Sequence, residues 1–383
     1  MHITDSVRYV GVNDHDIDLF EGLYPVPDGV AYNSYVIMDE KIAVMDAVDA
    51  HFGGTWLGNV RQALDGRQPD FLIVHHMEPD HSASIALFMN AFPDAVIVSS
   101  AKAFPMMKAF FGEDYSSRRI IVKEGDVLSL GNHVLRFIAA PMVHRPEVIL
   151  SYDAVEKTLY SADAFGKFGA LDVDEEWACE ARRYYFGIVG KYGAQVQAVL
   201  KKVAALDIQT ICPLHGPVLQ GDALVDALRL YDVWSSYQPE SEGVVIAHAS
   251  VYGNTRAAAE KLADSLRSKG VKVAIHDLTR CDIAEAVEDA FRYDRLVLAA
   301  ATYNADVFPP MRNFITWLTE RGYRNRKVGL IENGYWAPMA AKVMRGMLAG
   351  SKDVTILEPV VKIQSSLNEE SAAQLDALAE ALL

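Results

Sequence analysis

Residues 71–81 read FLIVHHMEPDH. The apolar run Phe71–Val74 leads into four groups able to hold a metal, His76, Glu78, Asp80 and His81, spaced H-x-E-x-D-H. On an extended strand end, residues 76, 78 and 80 face one way, and His81 turns in as the chain enters a helix at Ser82. Neighbouring His75 faces the other way and reads as structural. Further along, His144, Asp163 and His215 each stand inside or just after an apolar strand-like run, with 62, 18 and 51 residues in the successive intervals. Gly216 and Pro217 mark a loop after His215. Such a set of imidazoles and carboxylates does not share one core without cations to balance it. Four histidines and three carboxylates suit two metal ions with one carboxylate bridging. Taken singly, His215 is more often a satisfied polar residue than a ligand, and H-x-E-x-D-H alone is compatible with a solvated loop. Four separate segments supplying ligand types at strand exits favour the metal.

The rest of the first half is mixed α+β. Val36–Met38 and Lys41–Asp46 read as short strands joined by an acidic turn. Ala95–Val98, Ile120–Val122, Val134–Ile138, Val148–Tyr152 and Thr158–Tyr160 follow, with helical stretches such as His81–Phe92 and Tyr192–Leu206 between. The strands are too closely spaced for a repeating βαβ scheme. From Val244 the rhythm changes. Strands Val244–His248, Val271–Leu278, Arg295–Ala301, Lys327–Ile331 and Thr355–Ile363 alternate with helices Arg256–Ser268, Ile283–Phe291, Pro310–Thr319, Ala337–Leu348 and one around Glu370–Leu382. That is a parallel sheet covered on both faces. Gly270 and Gly350 stand where helix C-terminal glycines are expected. The polar stretch Ser235–Gly243 marks the boundary, giving domains at 1–240 and 244–383.

A length of 383 residues suits two domains. The net charge of −15 argues against nucleic acid or an anionic membrane surface as partner. Apolar stretches such as Leu296–Ala301 fall far short of a span of roughly 18 residues. Asp5, Asp14, Asp16 and Asp18 stand where a signal peptide needs a basic end and an apolar core, so a cytoplasmic protein is expected. Cys179, Cys212 and Cys281 form no Cys-x-x-Cys, which excludes a disulfide scaffold, a dithiol centre or a Cys-ligated iron site within this chain.

In the second half, Ser250, Val251, Tyr252, Gly253, Asn254 and Thr255 (SVYGNT) follow the first strand and open a helix. Backbone N–H groups and a positive helix end there suit a phosphate. The loop is neither a P-loop nor G-x-G-x-x-G, and by itself it is equally an ordinary helix cap. Thr302, Tyr303, Asn304 and Ala305 leave the third strand; Asn333, Gly334, Tyr335 and Trp336 leave the fourth. Ligands in such sheets lie beyond the C-terminal strand ends, where strand order reverses. Three such loops would cradle a phosphate and flank a flat ring. The plainer alternative is that Tyr303 and Trp336 only cover the sheet edge.

H-x-E-x-D-H with His144, Asp163 and His215 at these intervals, and Tyr32–Tyr35 (YNSY) before them, resembles the metallo-β-lactamase-like domain of flavodiiron proteins, the A-type flavoproteins. The interval from Asp163 to His215 reads as a trimmed loop. The SVYGNT loop resembles the family's flavodoxin-like domain, although the third loop, ENGYWAP, departs from the more glycine- and serine-rich form. The resemblance spans nearly the whole chain. It implies an α+β metallo-β-lactamase-like αββα sandwich followed by an α/β flavodoxin-like, doubly wound, parallel five-stranded sheet. It further implies His76, Glu78 and His144 on one iron, Asp80, His81 and His215 on the other, and Asp163 bridging, these seven being the catalytic set. FMN would lie on residues 250–255, 302–305 and 333–336. Zinc hydrolases of the first fold carry His at the position of Glu78, and a carboxylate there shifts the site from zinc towards iron.

The implied activity is an oxidoreductase's: reduction of dioxygen to water, of nitric oxide to nitrous oxide, or both. Since no rubredoxin-type cysteines are present, electrons must come from an external donor such as rubredoxin. A head-to-tail homodimer, or a dimer of dimers, would bring each flavin beside the partner's irons. Tyrosines such as Tyr24 or Tyr192 are candidates for the cavity above the metals. Two rivals stand beside this reading. One is a zinc-dependent hydrolase of thioesters or lactams with an appended flavodoxin module. The other is an electron-transfer flavoprotein that has lost its metal, against which the presence of all seven ligand types speaks.

Overall fold

The computed structural model describes residues 3–383, and the chain divides into one compact unit ending at Asp232 and a second over Val233–Leu383. In the first unit, strands β1 (Val7–Tyr9), β2 (Tyr35–Ile37), β3 (Ala43–Met45), β4 (Phe71–Ile73), β5 (Val96–Ser100) and β6 (Arg119–Val122) form one six-stranded sheet in that order. Strands β7 (Val127–Ser129), β8 (Val134–Ala139), β9 (Ile149–Asp153), β10 (Thr158–Tyr160), β11 (Thr210–Cys212) and β12 (Leu219–Gln220) form another. The first sheet is antiparallel from β1 to β3 and parallel from β3 to β6. In the second, only β10 and β11 run parallel.

Strands buried on both faces need continuous apolar runs, which FLI, AVM and TLY supply. The inward faces of both sheets meet in one core: Ile37, Met45, Phe71, Ile73 and Val98 pack with Leu135, Phe137, Ile149 and Tyr160. Helices Gly53–Leu64 and Ala103–Phe111 cover β2 and β5 from outside. The helical reading of residues 81–92 needs correction, because two short helices, Pro79–Ser82 and Ile85–Ala91, replace one. The first begins three residues earlier than Ser82 because Pro79 is pre-set for the first helical position.

The second unit is built on the parallel strands β13 (Ser241–Ala249), β14 (Val273–Asp277), β15 (Tyr293–Tyr303), β16 (Arg326–Asn333), β17 (Val354–Ile356) and β18 (Val361–Ile363), with β14 beside β13, then β15, β16 and the last two; the short strand Asp306–Val307 pairs antiparallel with the end of β15. Strand order therefore reverses between β13 and β15, as in flavodoxin-like folds. The fifth strand, expected to be continuous over Thr355–Ile363, is split because Pro359 has no N–H for the ladder. Helices Asn254–Ser268 and Glu369–Ala381 bury Ala258, Leu262, Leu375 and Leu378 against one face of the sheet. Helices Ile283–Arg292, Pro309–Glu320 and Ala340–Leu348 contact its strands as well. Asn368 caps the last helix in a capping box with Ser371. Gly270 has the positive φ of +81° expected after a helix; Gly350 does not, so its helix ends without a left-handed residue there. Among the described residues no helix is long and apolar enough to cross a membrane.

Two polar networks tie the units internally. Arg326, 2 % exposed, donates to the carbonyls of Tyr293 (2.7 Å), Tyr237 (2.9 Å), Arg324 (3.1 Å), Asn325 (3.2 Å) and Phe291, and burial lowers its pKa. Arg326→Met orphans several buried acceptors at once. An expected loss of about 3 kcal/mol of unfolding free energy is measurable by denaturant titration of the second unit's transition. In the first unit, His133 Nδ1 pairs with Asp153 Oδ2 at 2.6 Å, and this hydrogen bond raises the histidine's pKa. A raised folded pKa adds stability below the unfolded value of about 6.5, and that stability is lost as pH rises through the folded value. Thermal unfolding followed upward from pH 6 should show this loss, and His133→Asn should remove it.

Candidate functional site

Local structure separates the H-x-E-x-D-H ligands into two pairs. Extended backbone through Glu78 sends His76 and Glu78 to one side, and the helical turn from Pro79 sends Asp80 and His81 to another. The expectation that 76, 78 and 80 share one face is thus corrected by the early helix start. His144 follows β8, Asp163 follows β10 and His215 follows β11, so three strand ends of the second sheet meet one of the first. The result is two groups of potential ligand atoms, each within 4.8 Å: His76, Glu78, His144 and Asp163, then Asp80, His81 and His215.

Asp163 Oδ2 lies 3.3 Å from His76 Nε2 and 3.0 Å from His144 Nε2; Glu78 Oε2 lies 3.2 and 2.9 Å from the same two atoms. The other oxygen of Asp163, Oδ1, lies 3.3 Å from His81 Nε2 and 3.9 Å from His215 Nε2. Asp80 Oδ2 stands 3.3 and 3.2 Å from those nitrogens. One carboxylate therefore turns an oxygen to each group.

These residues fit a pair of cations. The ring nitrogens of His81 and His215 face each other at 2.9 Å, and among the described residues no donor with hydrogen-bond geometry reaches either oxygen of Asp80 or Oδ1 of Asp163, all of them buried. Electrostatics points the same way. Burial pulls the His76 pKa down, but Asp163, Glu147 and Glu78 raise it well above the ordinary value. Burial pushes Asp163 up, and His76, His144 and His81 hold it well below the usual carboxylate range. Positive charge is required between these oxygens, from protons or metal. Imidazole with carboxylate is a donor set suited to iron.

Several contributors were not legible in the sequence. Glu147 Oε1 accepts from His76 Nδ1 at 2.9 Å, Arg145 pairs with Glu78 Oε1, and Glu21 is pushed up to about 7 by burial and by Glu78. The YNSY segment holds the His215 loop: Asn33 Nδ2 donates to the carbonyls of Pro213 (2.9 Å) and Gly216 (2.7 Å), and Tyr35 to Pro213 (2.9 Å). His215 Nδ1 donates to Ala31 O at 2.8 Å. His75 turns away to Asp46 (2.5 Å) and Ser151 (2.8 Å), a structural role. Tyr24 donates to Gly187 O at 2.9 Å, and Tyr192 is half-buried at a helix start. Two tyrosine rings pack against the cluster, Tyr32 at 6.1 Å from His215 and, nearer, Tyr184. Its ring lies 5.4 Å from His215, its buried hydroxyl has no hydrogen-bond partner, and burial together with Asp163, Asp80 and Glu78 raises its pKa.

In the second unit, the SVYGNT loop leaves β13 at the strand-order reversal. Ser250 Oγ accepts from Gly253 N–H at 3.0 Å, and Gly253 takes φ +95°, which glycine adopts without strain, before the helix starts at Asn254. Thr255 is buried, whereas Val251 and Tyr252 are exposed. The other two loops line a cavity of about 390 Å³ with Thr302, Tyr303, Asn304, Ala305, Gly334, Tyr335, Trp336 and Ala337. Asn333 is bonded through both side-chain atoms to the backbone of Ser365 (3.0 and 3.1 Å), and Thr302 Oγ1 accepts from the N–H groups of Met339 and Ala340 (2.9 and 3.1 Å). Tyr335 and Trp336 are 70 % and 81 % exposed, surface enough for a flat ring to cover.

Comparison with known proteins supports both halves. Residues 30–216 match the ODP family beta lactamase, and residues 246–375 match flavodoxin. A nitric oxide reductase of Moorella thermoacetica is 30 % identical over 94 % of this chain and 92 % of its own. The rubredoxin-oxygen oxidoreductase of Megalodesulfovibrio gigas is 26 % identical over 91 % and 89 %. Among solved structures, the rubredoxin oxygen:oxidoreductase from Desulfovibrio gigas superposes with a TM-score of 0.91 at 26 % identity, covering 100 % of this chain and 97 % of that one. Two domain matches in this order, and relatives aligned along nearly their whole length, place this chain in the flavodiiron family of oxidoreductases, whose flavodoxin domain binds FMN and whose other domain carries a diiron site.

Proposed function

We propose that this flavodiiron protein reduces dioxygen to water, nitric oxide to nitrous oxide, or both, with His76, Glu78, Asp80, His81, His144, Asp163 and His215 as iron ligands. The observation that carries the proposal is Asp163, whose two oxygens face two separate ligand groups. When bound, two ferrous ions and a reduced FMN supply four electrons together, the number that takes dioxygen to water, while coupling two nitric oxide molecules needs two. The protein's share is to position and to supply protons. Burial raises the pKa of Tyr184, whose ring packs on His215, and its unpartnered hydroxyl is the candidate proton donor. Buried Tyr32, Phe20 and Tyr184 pack around His215 and limit water there.

FMN would seat its phosphate on residues 250–255 and its ring against Tyr303, Tyr335 and Trp336. Electrons come from an external carrier such as rubredoxin, and the working unit is a head-to-tail homodimer or a dimer of dimers, whose mass light scattering tests. Elemental analysis and absorbance of the purified protein should find two irons and one FMN per chain. Anaerobic turnover with each gas then decides the substrate. Stoichiometric zinc persisting after iron-supplemented growth, with no turnover of either gas, would instead support a zinc hydrolase with a flavodoxin module.

A further inference from the structure

The two ligand groups differ in what stands behind them. His144, Arg145 and Glu147 lie on the loop joining β8 to β9, and all three act on the same group. His144 belongs to it. Arg145 pairs with Glu78 Oε1, which leaves Oε2 facing His76 and His144. Glu147 Oε1 accepts from His76 Nδ1 at 2.9 Å and from Met77 N–H at 3.0 Å, fixing both the ring and its backbone. At 1 % exposure, this carboxylate acts without intervening solvent.

Among the described residues the other group has no such charged support. His215 Nδ1 rests on a neutral carbonyl, Ala31 O. Among the described residues His81 Nδ1 has no hydrogen-bond partner, and Asp80 meets only the two imidazoles of its own group, at 3.3 and 3.2 Å. A carboxylate behind a ligand imidazole sets its tautomer and orientation and makes the opposite nitrogen a stronger donor; removing one weakens metal binding by about 10–100-fold. A neutral carbonyl does less, and an unpartnered ring must be ordered when the ion arrives.

We propose that the Arg145–Glu147 segment makes the two metal positions unequal. The ion held by His76, Glu78 and His144 binds first and tightly, the ion held by Asp80, His81 and His215 binds second and more weakly, and Glu147 is the positioning residue that sets the difference. The inference rests on the two-ion reading above.

The test uses the full-length, FMN-loaded protein stripped of metal by chelation and titrated anaerobically with Co(II), followed by ligand-field absorption and calorimetry. Two resolved steps of one ion each are expected, the first tighter by at least about tenfold. Glu147→Ala should weaken the first step by about 10–100-fold and leave the second in place, so that the two steps merge. Glu147→Gln keeps the bulk and an acceptor oxygen but not the charge, and should fall between, with circular dichroism and FMN content unchanged. Uptake of two ions in one step of equal affinity, or a Glu147→Ala variant whose first step is unchanged or whose two steps weaken alike, overturns the inequality while leaving the two-ion reading standing. Uptake of a single ion or none by the unmodified protein overturns that reading, and the inequality with it.

Discussion

Asp163→Ala is expected to yield a protein that retains FMN and almost no iron. Its carboxylate turns one oxygen to each ligand group, so a single substitution removes a ligand from both. It also removes the buried anion that balances His76, His144 and His81. Those imidazoles would be left crowded around ions with one negative charge fewer, which lowers the affinity of both positions. A bound metal is worth several kcal/mol to a reaction of this kind, so turnover of either gas should fall by about 10³-fold or more. Iron content, flavin absorbance and turnover on one preparation check this. Full iron content in the variant would show that Asp163 is not a shared ligand.

Glu78→His is the second large expectation. It recreates the histidine-rich set of the zinc hydrolases, replacing a hard anionic donor by a neutral, softer one. Arg145 simultaneously loses the anion it pairs with and faces an imidazole. Glu21, raised partly by Glu78, is expected to return towards the ordinary carboxylate range. Iron loading should drop by at least about tenfold relative to zinc, and gas reduction should be lost while FMN stays bound. The iron-to-zinc ratio after growth in equal supply reads this out. Unchanged iron content with full activity would remove Glu78 from the ligand set.

The stability predictions are smaller and test other links. Arg326 concerns backbone acceptors of the second unit, and His133 a charge pair that includes none of the seven candidate ligands. Neither substitution should alter metal content, and this separates loss of fold from loss of site.

Much of the architecture was legible because it depends on local pattern. Apolar runs at strand length separated by helix-length amphipathic segments give the second unit's sheet, and its predicted strands differ from the observed ones mainly at their ends. Ligand types were legible for a similar reason: H-x-E-x-D-H and three isolated residues are chemically unusual at strand exits, whatever the distances between them. The errors arose where one residue overrides the pattern. Pro79 starts a helix early and turns Asp80 out of line with Glu78, and Pro359 splits the last strand. At Gly350 the composition suggests a left-handed end that the backbone does not adopt.

By itself, then, the amino-acid sequence determined the two-domain order, the strand and helix rhythm, and which side chains have the chemistry for iron and flavin. The first two follow from residue type and short-range spacing; iron and flavin were implied by the family resemblance that those residues carry. The division of the candidate ligands into two groups with Asp163 between them, implied by the family resemblance, is visible as geometry in the tertiary structure, and only that structure decided that Glu147 and Arg145 stand behind one group alone. It also decided that the Tyr184 ring packs against His215, that Tyr24 donates to Gly187 O, and that Asn333 clamps Ser365. Those facts depend on contacts between segments tens to more than a hundred residues apart. Their geometry is set by how two sheets pack face to face, and no local spacing along the chain encodes it.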